Sequence, residues 1–400
     1  MRVLHVVDRF GAQAGGGDIY LADLLPALEG AGVENVVACY NRTSDDLPAG
    51  VRECRVIPEM MHFVGPAQAG VAALVEALNE LAPDVAYVHC APNTAVGMAL
   101  ATRIPTVYFA HDYSATCPAG TRFLVRSGQV CTRPMGAACF VAAWVDRCAP
   151  RRPARLLAHV THAAGTRDWL EHVKHVVVDS HFVRADIARV GIPDGRISVL
   201  PTPVRLPAVA DDAEQEDPRT VLFAGRVART KGLHELLRAM EHVSSDWRLD
   251  VVGDGPELQL CKEIVSRRGL TDRVTFYGWL SRDELMQAYA RAALIAVPSL
   301  WPEPFGMVGP EAMAHGKPTV AFGVGGIPDW LEDGVTGFVA QPGDALQMAR
   351  SISTLLGGVS LRRAMGARAR TIAVRKFGME AHLAGLLPIF RALERQVAHA

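Results

Sequence analysis

The sequence has no apolar run of the roughly 20 residues that a membrane-spanning helix requires, so no transmembrane segment is expected. It opens without the pattern of an export signal: after MRVLHVVD the first apolar run stops at Asp8, and no cleavage site follows. It has no excess of either charge, with 41 basic against 42 acidic residues, which removes the electrostatic case for a nucleic-acid partner. Asp-x-Asp, the carboxylate pair of a divalent-metal clamp, occurs nowhere. What remains is the composition of a compact chain, 50% hydrophobic and 21% charged, and too long for one ordinary core. Its eight cysteines are expected to be reduced, and the chain is read as cytoplasmic.

The apolar residues fall into short β-branched runs separated by stretches with helical spacing. In the first half, strands are expected at Val3–Val7, Asn35–Cys39, Val85–His89, Thr106–Ala110, Val176–Asp179 and Ile197–Leu200. Helices are expected at Asp18–Leu28 and Ala67–Leu81. Residues 202–220, TPVRLPAVADDAEQEDPRT, are rich in proline and acid without apolar period, and read as a linker. The alternation then restarts, with strands at Val221–Ala224, Leu249–Val252, Val274–Tyr277, Leu294–Val297, Thr319–Phe322 and Gly337–Val339. Helices at His234–His242 and Glu257–Arg268 lie between them, and a last amphipathic helix covers Met379–Val397. Such alternation implies an α/β protein of two doubly wound domains. The expected bounds are 1–205, with an insertion at 113–150, then 206–376, then a helix in 377–400 that packs back on the first domain. Ligands of such sheets bind beyond the carboxyl ends of the strands, so two domains facing across a cleft would hold a site there.

Two stretches at strand ends suit a phosphorylated sugar. Val221–Ala224 is followed by GRVARTKG, which offers the planar fork of Arg226 and the mobile charge of Lys231 between Gly225 and Gly232. By themselves these cations serve equally well as a diphosphate clamp or as solvated surface charges. WPEPFGMVGPEAMAHGKP (301–318) carries more information. Pro304 disfavours helix at Glu303, Pro310 fits a first helical turn, and Glu311 follows inside that turn. A helix N-terminus supplies free amides, and Gly306 and Gly309 let the backbone approach a ligand.

EPFGMVGPE is similar to the E-x7-E signature of retaining GT-B glycosyltransferases, and most of all to glycosyltransferase family 4. AGRVARTKG resembles that family's diphosphate clamp, and VVGDGPE, VTFYGWL and VAFGVGGIPDWLEDGVTGF resemble its further C-terminal landmarks in the right order. The resemblance implies that Gly225, Arg226 and Lys231 hold the diphosphate. It implies that Glu303, with the backbone of Phe305, Gly306, Met307 and Val308, holds the donor sugar, and that Glu311 holds the ribose. The chain at Tyr277, Gly278 and Leu280 would meet the base, and UDP is favoured over GDP.

The N-terminal half departs further from the family pattern. Gly11 and Gly15–Gly17 follow the first strand, but they do not spell Gly-x-Gly-x-x-Gly, and 36–42 (VVACYNR) lack the acid of a dinucleotide site. The resemblance brings this loop, Gly16 and Gly17 in particular, to the phosphates. His111 lies just past strand Thr106–Ala110 and reads either as a sheet-edge histidine or as a catalytic one; the resemblance places it close to the transferred sugar. Four cysteines, Cys117, Cys131, Cys139 and Cys148, fall within 32 residues at a spacing unlike standard zinc patterns. They are either one structural zinc site in an insertion rich in turns or ordinary reduced thiols.

The expected activity is transfer of a hexose-type sugar, with retention and without metal, from a nucleoside diphosphate to a hydroxyl on a small-molecule, glycan or glycolipid acceptor. Arg226 and Lys231 would stabilise the leaving diphosphate, and no cofactor is needed for catalysis. Arg151, Arg152 and Arg155 allow peripheral membrane contact or are plain solvated charges. The alternatives are a sugar-nucleotide epimerase of the same fold and an inactive nucleotide-sugar-binding module.

Overall fold

The computed structural model describes residues 1–11, 16–43, 47–57, 60, 67–207 and 216–398. The chain divides into two compact units, Met1–Pro203 with Met379–Ala400, and Val204–Gly378.

In the first unit the strands are β1 (Arg2–Phe10), β2 (Glu34–Arg42), β3 (Val51–Val56), β4 (Val85–Val88), β5 (Thr106–Ala110), the short hairpin β6 (Phe123–Leu124) and β7 (Gln129–Val130), β8 (His175–Val178) and β9 (Ile197–Val199). Seven of them form one parallel sheet in the order β3-β2-β1-β4-β5-β8-β9. The helices are α1 (Gly16–Gly30), α2 (Gln68–Leu81), α3 (Thr94–Ala101), α4 (Ala138–Val145), α5 (Pro153–Leu170) and α6 (His181–Ala188). The edge strand β3 and the β6–β7 hairpin were not legible, because VRECRV and the residues around Gly128 carry little apolar signal.

One line through this sheet is polar. Successive strands place Asn35 on β2, His5 on β1, His89 after β4, His111 after β5 and Asp179 after β8. The strand registers His5↔Val37, His5↔Tyr87, Tyr87↔Val107 and Phe109↔Val177 put all five side chains on one face. The rest of that face is apolar, with Tyr20, Leu24, Val37, Phe109, Leu386 and Phe390 in one buried cluster. Burial holds the imidazoles of His5 at about 4, His382 at about 4 and His111 at about 3, and holds His89 well below its ordinary value. Burial raises the Asp179 carboxyl to about 7.

The second unit contains β10 (Thr220–Ala224), α7 (Leu233–Met240), β11 (Arg248–Val252), α8 (Leu258–Arg267), β12 (Val274–Gly278), α9 (Arg282–Arg291), β13 (Leu294–Val297), α10 (Val308–Ala314), β14 (Thr319–Phe322), β15 (Gly337–Ala340), α11 (Ala345–Gly357) and α12 (Val359–Phe377). Its parallel sheet runs β12-β11-β10-β13-β14-β15, with an apolar cluster on each face. Helix α10 starts at Val308, so Pro310 is its third residue and lies in its first turn. The final helix, α13 (Met379–Ala398), is part of the first unit. The acidic linker is not free of structure throughout. Glu216 Oε1 accepts from Arg362 Nη2 at 2.7 Å, and Lys317 Nζ lies 3.3 Å from Glu216 Oε2. The Arg362 side chain is only 2% exposed.

Two outcomes follow from these charges. Removing Glu216 leaves two cations buried beside each other, so Glu216→Ala should cost about 3–5 kcal/mol, measured by urea unfolding; a loss below about 1 kcal/mol would refute the account. The histidines stay neutral when folded and charge when unfolded, so their contribution is full above about 6.5 and is lost as pH falls towards 4–3. Asp179 has the opposite sign: its contribution is present below about 4 and is lost as pH rises through about 7. Four histidines outweigh one aspartate, so Tm should fall between pH 7 and 4, and Asp179→Asn should make that fall steeper. A shallower fall in the variant contradicts the assignment.

Candidate functional site

In the second unit the sheet changes its direction of growth between β10 and β13, and the loops leaving those two strands meet at the carboxyl edge. Leu300 and Trp301 donate backbone N–H groups to the Thr230 carbonyl at 2.8 and 3.3 Å. Gly232 makes the approach possible: its φ is +70°, and a Cβ there would lie 1.9 Å from the Pro298 carbonyl oxygen. Lys231 Nζ then reaches both oxygens of Glu303, at 2.7 and 2.9 Å, with the Trp301 ring centroid 5.3 Å from the ammonium. Ser299 Oγ also donates to Glu303 Oε1, and Glu303 is buried. The cation expected on the diphosphate and the carboxylate expected on the sugar neutralise one another. Sequence separation, 72 residues, concealed this contact.

The loop after β14 completes the site. Gly326 N–H donates to the Glu303 carbonyl at 2.7 Å, and the Trp330 indole N–H donates to the Phe305 carbonyl at 2.7 Å. Gly325 has φ +58°, and a Cβ there would sit 2.3 Å from the Glu303 carbonyl oxygen. Backbone bonds therefore fix the segment Glu303–Gly306 from both sides. Glu311, in the first turn of α10, accepts from the buried Tyr289 hydroxyl at 2.7 Å. Sequence reasoning missed Tyr289 and Ser299, which lie outside every motif, and assigned no role to Trp330, which lies within one. Met307 and Val308, half-buried, lead into α10.

On the other side of β10, Gly225 N–H donates to the Val252 carbonyl at 2.9 Å, and Gly253 N–H to the Gly278 carbonyl at 2.7 Å. The Gly225, Gly253 and Gly278 loops thus form one continuous rim. Arg226 is exposed on this rim. Tyr277 is 42% exposed, its phenol pushed up by burial and by Asp250, while Leu280 packs partly into the apolar cluster.

In the first unit Gly16 and Gly17 are the first residues of α1, and 12–15 of the same loop lie outside the described residues. His111 borders a cavity of about 370 Å³ together with Asp8, His89, Asp112, Ser114 and His159. Its Nε2 lies 3.4 Å from His89 Nδ1, and its Nδ1 lies 3.9 Å from Asp179 Oδ2. The partners Asn35, His5, His89 and Asp179 were not singled out from sequence, since isolated polar residues in apolar strands read as noise.

Cys117, Cys131, Cys139 and Cys148 all border one small cavity of about 30 Å³ and are free thiols. Burial, and then the neighbouring thiols, push Cys148 up to about 11. Among the described residues, no three or more His, Cys, Asp or Glu side chains are placed to hold a metal ion. No helix among the described residues is long and apolar enough to cross a membrane.

The chain is similar to known proteins in sequence and in fold. A family model described as glycosyl transferases group 1 matches residues 208–372, and one described as Glycosyltransferase Family 4 matches residues 14–206. Alpha-D-kanosaminyltransferase of Streptomyces kanamyceticus is 28% identical over 256 residues, 63% of this chain and 64% of that protein. A D-inositol 3-phosphate glycosyltransferase of Mycobacterium sp. (strain KMS) is 40% identical over 39% of this chain and 37% of its own length. 2-Deoxystreptamine glucosyltransferase of S. kanamyceticus is 32% identical over 43% of this chain and 45% of its own length. The matched stretches thus span less than two thirds of these relatives. Among solved structures, sucrose-phosphate synthase of Thermosynechococcus elongatus superposes with TM-score 0.75 at 22% identity, covering 100% of both chains. The Anabaena protein HepE, in complex with UDP and glucose, gives 0.72 at 21%, covering 98% of this chain and 100% of its own. With both halves matched in order and both sheets of the Rossmann kind, the chain belongs to glycosyltransferase family 4, the group-1 glycosyltransferases of GT-B architecture.

Proposed function

We propose that this glycosyltransferase is a retaining, metal-independent hexosyltransferase that uses a UDP-sugar and an acceptor hydroxyl. The observation that carries the reading is the Lys231–Glu303 pair at the turning point of the second sheet, beside exposed Arg226. An incoming diphosphate competes for Lys231 and releases the Glu303 carboxylate to accept from sugar hydroxyls. The two cations then meet the charge that develops on the leaving phosphate, so the step needs no divalent ion.

Neither carboxylate acts as nucleophile in this reading: Ser299 and the sugar hydroxyls engage Glu303, and Tyr289 engages Glu311. Retention then follows from same-face displacement. The anomeric carbon–phosphate oxygen bond breaks, the acceptor oxygen bonds to the same face, and its proton passes to the departing phosphate oxygen. UDP is supported by the likeness to a protein crystallised with UDP and glucose. Two relatives are named for hydroxylated acceptors, 2-deoxystreptamine and D-inositol 3-phosphate. An amphiphilic acceptor held at a membrane surface is supported by α4, which exposes Val141, Trp144 and Val145 in a segment, 126–155, with six arginines and one aspartate.

The test is a panel of nucleotide sugars against soluble polyols and the same polyols as lipid conjugates in anionic vesicles, with product anomers read by NMR. Transfer from a UDP-hexose with retained configuration in chelator is expected; inversion or a metal requirement overturns the mechanism. Lys231→Ala should lower turnover by about 10²–10³, and near-normal turnover would remove Lys231 from the phosphate site.

The two glutamates should separate. Glu311→Gln should weaken binding of both UDP and the full donor in calorimetry. Glu303→Gln should leave UDP affinity close to normal and damage transfer. Equal losses of UDP affinity in the two variants would sink the division of roles.

A further inference from the structure

The polar row through the first sheet has a direction, and one residue sets it. Asn35 Nδ2 lies 2.9 Å from the carbonyl oxygens of both Leu25 and Gly50. Carbonyls only accept, so the amide nitrogen faces them and Oδ1 faces the other way, 3.1 Å from His5 Nε2. Because Oδ1 also only accepts, His5 carries its proton on Nε2, and its Nδ1 is a lone pair. That lone pair lies 3.2 Å from His89 Nε2, which must donate, leaving His89 Nδ1 bare. His89 Nδ1 lies 3.4 Å from His111 Nε2, which must donate in turn. The last bare nitrogen is His111 Nδ1.

The ring geometry suits such a row. The centres of His5 and His89 are 5.5 Å apart with planes 10° from parallel, and those of His89 and His111 are 5.7 Å apart and 21° from parallel. Nitrogens as close as 3.2 and 3.4 Å are compatible with those centre distances only if the rings meet edge to edge along one line, in almost a common plane. Face-to-face stacking would separate the nitrogens further. Burial keeps all three rings neutral near pH 7, so each carries one proton and the argument has no freedom to reverse. The opposite polarity, with His111 Nδ1–H turned to Asp179, would set the lone pair of His5 Nε2 against Asn35 Oδ1. Rotating the Asn35 amide to relieve this would set its oxygen against two carbonyls.

We propose that Asn35, through His5 and His89, fixes His111 in the Nε2–H tautomer and so presents Nδ1 as a hydrogen-bond acceptor to a hydroxyl-bearing ligand in the adjoining cavity. Asp179 is too far from Nδ1, at 3.9 Å, to occupy it. Asn35, His5 and His89 are then positioning residues, and His111 selects hydroxyl donors over carbonyl or phosphate oxygens. This assignment of the ligand rests on the transferase reading above, whereas the tautomer does not.

A second network supplies an internal control. His382 Nδ1 lies 3.0 Å from the Pro201 carbonyl and must donate to it, so its Nε2, 2.8 Å from the Tyr20 hydroxyl, accepts. Tyr20 in turn accepts from Tyr87 at 3.1 Å. Two tautomers of opposite kind therefore lie within one buried cluster.

The experiment is two-bond proton–nitrogen correlation NMR on the full chain with labelled histidine, near pH 7.5 and without substrate. Signals are assigned by single substitution of His5, His89, His111 and His382. Nitrogen shifts should place the proton on Nε2 in His5, His89 and His111, and on Nδ1 in His382. A proton on Nδ1 of His111 overturns the proposal in the unaltered protein, whatever the variants do. Asn35→Leu, if folded by circular dichroism, should give His111 a mixed population of tautomers; an unchanged Nε2–H signal there also overturns it. Absence of transferase activity alongside the expected tautomers would refute the functional reading and leave the row standing.

Discussion

Both units depend on one central strand pairing in parallel with two neighbours: β1 with β2 and β4, β10 with β11 and β13. Right-handed connections that grow the sheet outwards in both directions put successive helices on opposite faces. In the second unit the loops leaving the central strand and its neighbour β13 meet at the carboxyl edge, where polar groups collect. His111, Arg226, Lys231 and Glu303 all follow strands at such edges, and the glycines around them are placed where backbones come together.

The carboxylate at this edge of the second unit is held by its neighbours. Glu303 is fixed at its carbonyl by Gly326 and at its carboxylate by Lys231 and Ser299. The ion pair keeps a buried carboxylate satisfied. The first unit meets the same problem with neutral groups. Burial removes charge from its histidines, and a relay of hydrogen bonds replaces the lost solvation.

Much of the fold was legible because a strand buried on both faces leaves an apolar run that needs no tertiary knowledge. Thr106–Ala110, Leu294–Val297 and Thr319–Phe322 have the bounds expected from sequence. The strand β3 was missed because a sheet edge tolerates VRECRV, whose charges reach solvent. Motif spacing singles out Arg226, Lys231, Glu303 and Glu311, but not the ion pair joining Lys231 to Glu303, since spacing along the chain says nothing of contacts across it. Glu216 looked like linker filler, and only the fold shows it meeting Arg362. The row from Asn35 to His111 was invisible for a related reason: it contributes one residue per strand, and strand register exists only in the assembled sheet.

The first unit is discontinuous in the chain, leaving off at Pro203 and resuming at Met379. Its central cluster takes Leu386, Phe390 and Leu393 from α13, and the Tyr20 hydroxyl takes its acceptor, His382, from the same helix. During synthesis, the ribosome has made all of the second unit before it supplies these side chains. The second unit can fold as soon as it emerges, whereas the first must wait with one sheet face incompletely covered. The order of completion is thus the reverse of the order of translation, and the half begun first is the half exposed longest to aggregation and proteolysis.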